Sequence, residues 1–205
     1  MSQVEQIITL ADYRRICVLH VSTLPTSNLS SFSFRSLETI YKYAVMSKQE
    51  QLFLERDDSG EIIAVAFVSL APSSFLKRLM IGSSFLIWFL LGFNKNVFQL
   101  VIKKLFEPNI RKKTLLTEYE IPELMFIFSD PNVRSQGCGR QLLKQIEGYL
   151  TKNNMSVYEV KTEKNEDNRA LSFYERNGFK RERVFKRMGS VFQTFRKDIH
   201  SSSLI

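Results

Sequence analysis

The sequence predicts an α/β fold on a mixed central sheet of six or seven strands flanked by helices, and three observations predict it. Short unbroken apolar runs, Leu124-Met-Phe-Ile-Phe128 above all, read as buried strands. Apolar residues at helical spacing follow, as at Leu142, Leu143, Ile146 and Leu150. Strands and helices alternate through the second half, which requires parallel pairing wherever a helix crosses over. The 205 residues are expected to form one domain, 1–205, with a helical insertion over 72–118.

The elements follow in order. Val4 to Leu10 is a short strand candidate, and Ala11 to Leu24 a helix stopped by Pro25. The uncharged Ser- and Thr-rich stretch after it is a loop. Ser36 is the expected N-cap of a second helix bearing Leu37, Ile40, Tyr41, Tyr43 and Ala44. Gln51 to Glu55 and Glu61 to Leu70 read as strands joined by the turn Asp57-Asp-Ser-Gly60. Between this third strand and the fourth lies the insertion. Leu79 to Phe93 carries no charge, and Asn96 to Phe106 has an apolar side and a polar side. The apolar run is too short for a clean transmembrane helix, which takes about 20 residues. Two readings stay open for 75–106: a helical hairpin packed on the domain or against a second copy, or a peripheral membrane contact with basic flanks. Beyond the fourth strand and its helix come a strand over Ser156 to Thr162, a helix over Arg169 to Arg176 closed by Gly178, and strands over Phe179 to Phe185 and Met188 to Lys197.

Composition narrows the class of function. With 44% hydrophobic and 24% charged residues, the chain is globular, not disordered. A net charge of +8 suits an anionic ligand, a nucleic acid or an anionic membrane face. The basic cluster Lys180, Arg181, Arg183, Lys186 and Arg187 is interrupted by Glu182 and reads as a solvated face, so no nucleic acid is expected. Two cysteines, Cys17 and Cys138, make no disulfide framework, and a reducing cytoplasm is the expected location. Met1-Ser-Gln-Val-Glu-Gln6 has no basic and apolar segments of a secretory signal. Cys17 and His20 lie one helical turn apart, too few ligands for zinc, so no metal is expected.

The chemistry points to Asp130-Pro-Asn-Val-Arg-Ser-Gln-Gly-Cys-Gly139, between the apolar strand and the helix opening near Cys138. A strand, a glycine-bearing turn and a helix N-terminus gather unpaired backbone N–H groups, and these with the helix dipole favour phosphate. Gly137 and Gly139 let a ligand approach the backbone, and Arg134 and Arg140 add charge. No Gly-Lys-Ser/Thr follows, so this is not a P-loop, and Leu142 stands where the dinucleotide fingerprint needs glycine.

Arg134-Ser-Gln-Gly137-Cys-Gly139 resembles the acyl-CoA-binding loop of the GNAT acetyltransferases, Arg/Gln-x-x-Gly-x-Gly/Ala. Asn168-Arg-Ala170-Leu-Ser-Phe-Tyr174-Glu-Arg-Asn-Gly178-Phe179 is similar to the family's Asn-x-x-Ala-x-x-x-Tyr-x-x-x-Gly-Phe segment, with Asn168 one residue nearer to Ala170 than the pattern asks. The match is close over Leu124 to Phe179; the first 71 residues fit by order of elements alone.

The resemblance implies the GNAT fold and direct N-acetyl transfer from acetyl-CoA to a primary amine, with acetyl-CoA as the acyl-donor substrate. The pyrophosphate would sit on N–H groups of Gln136, Gly137, Cys138, Gly139 and Arg140, with Arg134 nearby. The pantetheine arm would lie along the Leu124–Ser129 strand, with a backbone N–H near Phe128 or Ser129 on the thioester oxygen and Asn168 bonding the arm. Tyr174 would protonate the leaving thiolate, and Glu123 or His20 would take the acceptor's proton. Loosely, the apolar insertion resembles acetyltransferases acting on amino sugars of surface polysaccharides, where the acceptor is nucleotide- or lipid-linked. A non-catalytic acyl-CoA-binding module and a peripheral membrane interaction protein are the readings from other classes.

Overall fold

The computed structural model describes residues 8–24, 33–82, 120–134, 136–165, 167–187 and 189–199. Within them the order is α1 (Leu10–Thr23), α2 (Phe34–Met46), β1 (Glu50–Arg56), β2 (Ile62–Ser69), α3 (Phe75–Gly82), β3 (Glu123–Ser129), α4 (Cys138–Lys152), β4 (Val157–Glu163), α5 (Arg169–Arg176), β5 (Lys180–Arg187) and β6 (Ser190–Asp198). The described strands form one six-stranded sheet, β1-β2-β3-β4-β6-β5. β3 and β4 run parallel, because α4 carries the chain back between them; every other pairing is antiparallel.

Alternation along the strands sends apolar side chains to two cores. On one face α1, α2 and α3 cover β1 to β3, with Ile16, Leu37, Ile40, Tyr41, Val65, Phe67 and Phe128 buried. On the other, α4 and α5 pack through Leu142, Leu143, Ile146, Leu150 and Tyr174 onto Ala66, Leu124, Tyr158, Val160 and Phe195. The helical spacing that predicts α4 is thus the stripe that faces the sheet.

Two local expectations change. Leu10, expected to end a strand, opens α1 instead; residues 4–7 of that expectation lie outside the described residues. The reason is a capping box: Thr9 accepts from the Asp12 N–H at 3.2 Å, and Asp12 accepts from the Thr9 N–H at 2.8 Å. The cap of α2 is Ser33, not Ser36; Ser33 accepts from the Ser36 N–H, which puts Ser36 inside the first turn.

Of the insertion, the described part is a 3₁₀ turn, Pro72–Ser74, and α3. Phe75 and Leu79 enter the first core, and the Phe75 ring meets Phe67 at 5.5 Å. Arg78 forms an ion pair with the buried Glu50 and reaches the Ala71 carbonyl at 3.0 Å. The Ser73 N–H donates to the Glu120 carboxylate at 2.6 Å, so the segment leaves and returns at one place. Most of the apolar run and the helix expected over 96–106 lie outside the described residues. Among the described residues no helix is long and apolar enough to cross a membrane.

Candidate active site

β3 pairs with β2 nearly throughout, and β4 pairs with β6 along its length, yet β3 and β4 pair only at Glu123↔Glu159 and Leu124↔Val160. Beyond Leu124 the two halves of the sheet part. A bulge accompanies the parting: Phe67 faces Phe126 and Val68 faces Leu124, which leaves Met125 without a partner. The extra residue places both Met125 and Phe126 on the α1–α3 core and bends the strand. The edge of β3 from Met125 to Ser129 that would face β4 therefore forms no ladder with it.

At the wide end of this gap stands the glycine loop. Gly137, at φ +89°, is the N-cap of α4, a left-handed conformation that disfavours any side chain. The Arg140 and Gln141 N–H groups both donate to the Gly137 carbonyl, at 2.9 and 3.1 Å, and the Gln136 N–H donates to Val133 at 3.4 Å. The N–H groups of Gly137, Cys138 and Gly139 find no acceptor among the described residues. Within the expected Gln136-to-Arg140 span, the Gln136 and Arg140 N–H groups thus have acceptors within the chain. Arg134 and Arg140 are exposed beside it and form no ion pair among the described residues. A Cβ on Gly139 would lie 3.1 Å from the Phe173 ring, so glycine is what lets α5 close on the first turn of α4. Cys138 is buried against the second core and offers the loop its N–H, not its thiol.

The loop is held from a distance by residues that sequence patterns do not mark. Asp130 caps the turn Pro131–Val133 by accepting from the Asn132 N–H at 2.9 Å, and its other oxygen accepts from Arg15 of α1 at 2.6 Å. The Asn132 N–H and the Arg15 guanidinium hold the Asp130 carboxyl below its usual range, against the opposing effect of burial. Arg15 also donates to the Ile62 carbonyl, tying the start of the loop to α1 and β2.

Tyr174 is buried in the second core, with its ring 5.2 Å from Phe179 and 5.5 Å from Phe195. Its hydroxyl makes no hydrogen bond among the described residues. Burial pushes its phenol well above the ordinary value, so it keeps its proton at neutral pH. Asn168 is the N-cap of α5: Oδ1 accepts from the Ala170 N–H at 3.0 Å, and Nδ2 donates to Thr162 at 2.9 Å and to the Glu163 carbonyl. Both of its amide hydrogens are committed to joining α5 to the end of β4.

On the opposite face, pairing aligns one polar row across all six strands: Glu50, Ser69, Glu123, Glu159, Arg196 and Lys180. Lys161 bridges its centre, its Nζ contacting Glu123 and lying 2.9 Å from Glu159. Glu123 therefore points to the α1–α3 side, at the closed end of the gap. His20 is wholly buried on that side, its Nδ1 2.5 Å from the Tyr41 hydroxyl and its ring 5.2 and 5.3 Å from Phe126 and Phe128. Burial lowers its pKa to about 4, and it is neutral in the fold. Among the described residues, no group of three or more His, Cys, Asp and Glu side chains is arranged to hold a metal ion.

The arrangement is a slot through a sheet: N–H groups without acceptors among the described residues at its wide end, a phenol on one face, and carboxylates with an ammonium on the other. Residues 110–181 match the sequence model of the acetyltransferase (GNAT) domain. No curated protein matches the chain. The fold is similar to that of a GNAT-family structure from Desulfovibrio desulfuricans, at 15% identity and TM-score 0.61, covering 94% of this chain and 96% of that one. It is also similar to the ribosomal-protein-S18-alanine N-acetyltransferase of Escherichia coli, at 12% identity and TM-score 0.54, covering 93% and 90%. A structure from Corynebacterium glutamicum described as histone acetyltransferase HPA2 and related acetyltransferase gives 14% identity and TM-score 0.55, covering 96% of each chain. At these identities the likeness is one of fold.

Proposed function

We propose that this chain, which carries a GNAT acetyltransferase domain on the GNAT fold, transfers an acetyl group from acetyl-CoA directly to a primary amine. The parting of β3 and β4 carries the reading. It leaves a strand edge for the amides of a pantetheine arm, and the glycine loop stands at the end where the pyrophosphate would lie. The arm then runs from Gly137 towards Leu124, and the thioester comes to the closed end. There the N–H groups of the β3 edge beside the bulge at Met125, not those of Phe128 or Ser129 at the wide end, are the donors for the oxygen as it gains charge.

The two faces divide the proton work. Tyr174 approaches from the α4–α5 side and donates to the departing thiolate. The acceptor amine approaches from the α1–α3 side, where Glu123 takes its proton. His20 is a packing residue in this reading, since it is enclosed and already bonded to Tyr41. Asn168 orders the turn next to the arm instead of bonding it.

For the acceptor we favour an amino sugar, nucleotide- or lipid-linked. The support is the insertion: α3, its described beginning, lies on the α1–α3 face, and Arg78 joins the polar row at Glu50. An acceptor entering there meets the insertion, and membrane or second-copy contact through 75–106 would suit a lipid-linked one. Turnover of a peptide or polyamine, with every nucleotide-linked amino sugar inert, would reject this acceptor class and keep the reaction.

The test of the reading itself is a calorimetric titration with acetyl-CoA, repeated with Gly137→Glu. The native chain binds in the micromolar range, and the variant, strained and anionic at the phosphate site, loses at least about 100-fold in affinity. No binding by a folded native chain would overturn the proposal.

A further inference from the structure

Lys161 is the first residue of β4 beyond the last β3–β4 pair, Leu124↔Val160. It shares a face with Glu159, two residues before it, and with Glu123 across the sheet. Its Nζ sits between the two carboxylates. Directly opposite it on β6 is Thr194, wholly buried, whose hydroxyl has no hydrogen-bond partner among the described residues. A primary amine and a carboxylate in contact with it thus meet where an acetyl thioester would end, with an idle buried hydroxyl on the neighbouring strand. The geometry points to Lys161 as an internal acceptor: the chain acetylates its own Lys161. This rests on the proposed acetyl-CoA reading and adds a modification site to it.

The step balances without a further reagent. The Lys161 ammonium gives one proton to the Glu123 carboxylate. The freed lone pair adds to the thioester carbonyl carbon, the N–C bond forms and the C–S bond breaks. The departing thiolate takes the phenolic proton of Tyr174, and the second nitrogen proton restores the phenol through solvent. The products are an Nε-acetyl-lysine and free coenzyme A. Glu123 loses the cation that occupies it in the unmodified chain.

The test is to incubate the purified full chain with acetyl-CoA, follow acetylation lysine by lysine by peptide mass spectrometry, and run acetyl-CoA calorimetry on the same sample. Lys161 is expected to be modified at least about ten-fold faster than the exposed Lys144, Lys152 and Lys180, since a held amine reacts at high effective concentration. Its rate should not depend on protein concentration. Tyr174→Phe should slow Lys161 alone, and K161R should bind acetyl-CoA yet gain no acetyl group at that position. Binding without preferential modification of Lys161 overturns this inference and leaves the acetyl-CoA reading standing; absence of binding overturns both.

Discussion

The two faces of the sheet are built on different principles. On the α4–α5 face the features at the slot are backbone and one phenol: a left-handed Gly137, N–H groups of the first turn without acceptors among the described residues, a helix packed close because Gly139 has no Cβ, and Tyr174. On the α1–α3 face they are side chains in charge-compensated sets, Glu50 with Arg78 and Glu123 with Lys161 and Glu159. A backbone site accepts whatever presents the right anion and tolerates change in its surroundings. A side-chain site is specific, and each of its members depends on the others. A common donor on the first face and a variable acceptor on the second is the division of labour this difference predicts.

The largest effect expected is on the α1–α3 face. His20 is neutral in the fold with a pKa of about 4, against about 6.5 when unfolded. Between these values the unfolded state binds a proton that the folded state refuses, so stability is full above about pH 6.5 and falls as pH drops towards 4. The loss is about 3 kcal/mol. Urea midpoints over this range should fall steeply for the native chain and more gently for His20→Phe; equal slopes would show that the face does not hold an uncharged histidine.

Next in size is Tyr174→Phe. Loss of a proton donor should lower kcat about 100-fold, while acetyl-CoA affinity by calorimetry stays within about two-fold. An equal fall in both would mean that the hydroxyl serves binding, and that the α4–α5 face is not limited to backbone recognition of the donor.

The smallest is Asn168→Ala, which removes the cap of α5 and its ties to β4. Thermal or urea unfolding should show a loss of about 1 kcal/mol, with KM for acetyl-CoA changed only slightly. A large rise in KM with unchanged stability would give Asn168 the arm-binding role implied by its position in the motif.

What could be read in advance follows from sequence distance. α4, α5 and the loop between β3 and α4 are local: helical spacing and glycine position suffice, and α5 lies over Arg169–Arg176 as expected. The slot is not local. Its opening depends on which residues of β3 and β4 pair, and its bulge at Met125 on a partner strand some 60 residues earlier in the chain. The Arg15–Asp130 tie spans 115 residues, and the Lys161–Glu123 contact 38. The place of Tyr174 in α5 is legible because it falls within a helical motif. Glu123 was legible as a position, but its capture by Lys161 was not, since alternation fixes the face of a residue and only register fixes its neighbour.

The contact between Ser73 and Glu120 has a consequence for how such a chain can change. A segment whose two feet stand together behaves as a cassette. Closing a longer loop between fixed ends costs only about 0.6 kcal/mol for each doubling of length. Beyond α3, whose Phe75, Leu79 and Arg78 are tied to the sheet, the length of chain before Glu120 can therefore change while the sheet and its slot are kept.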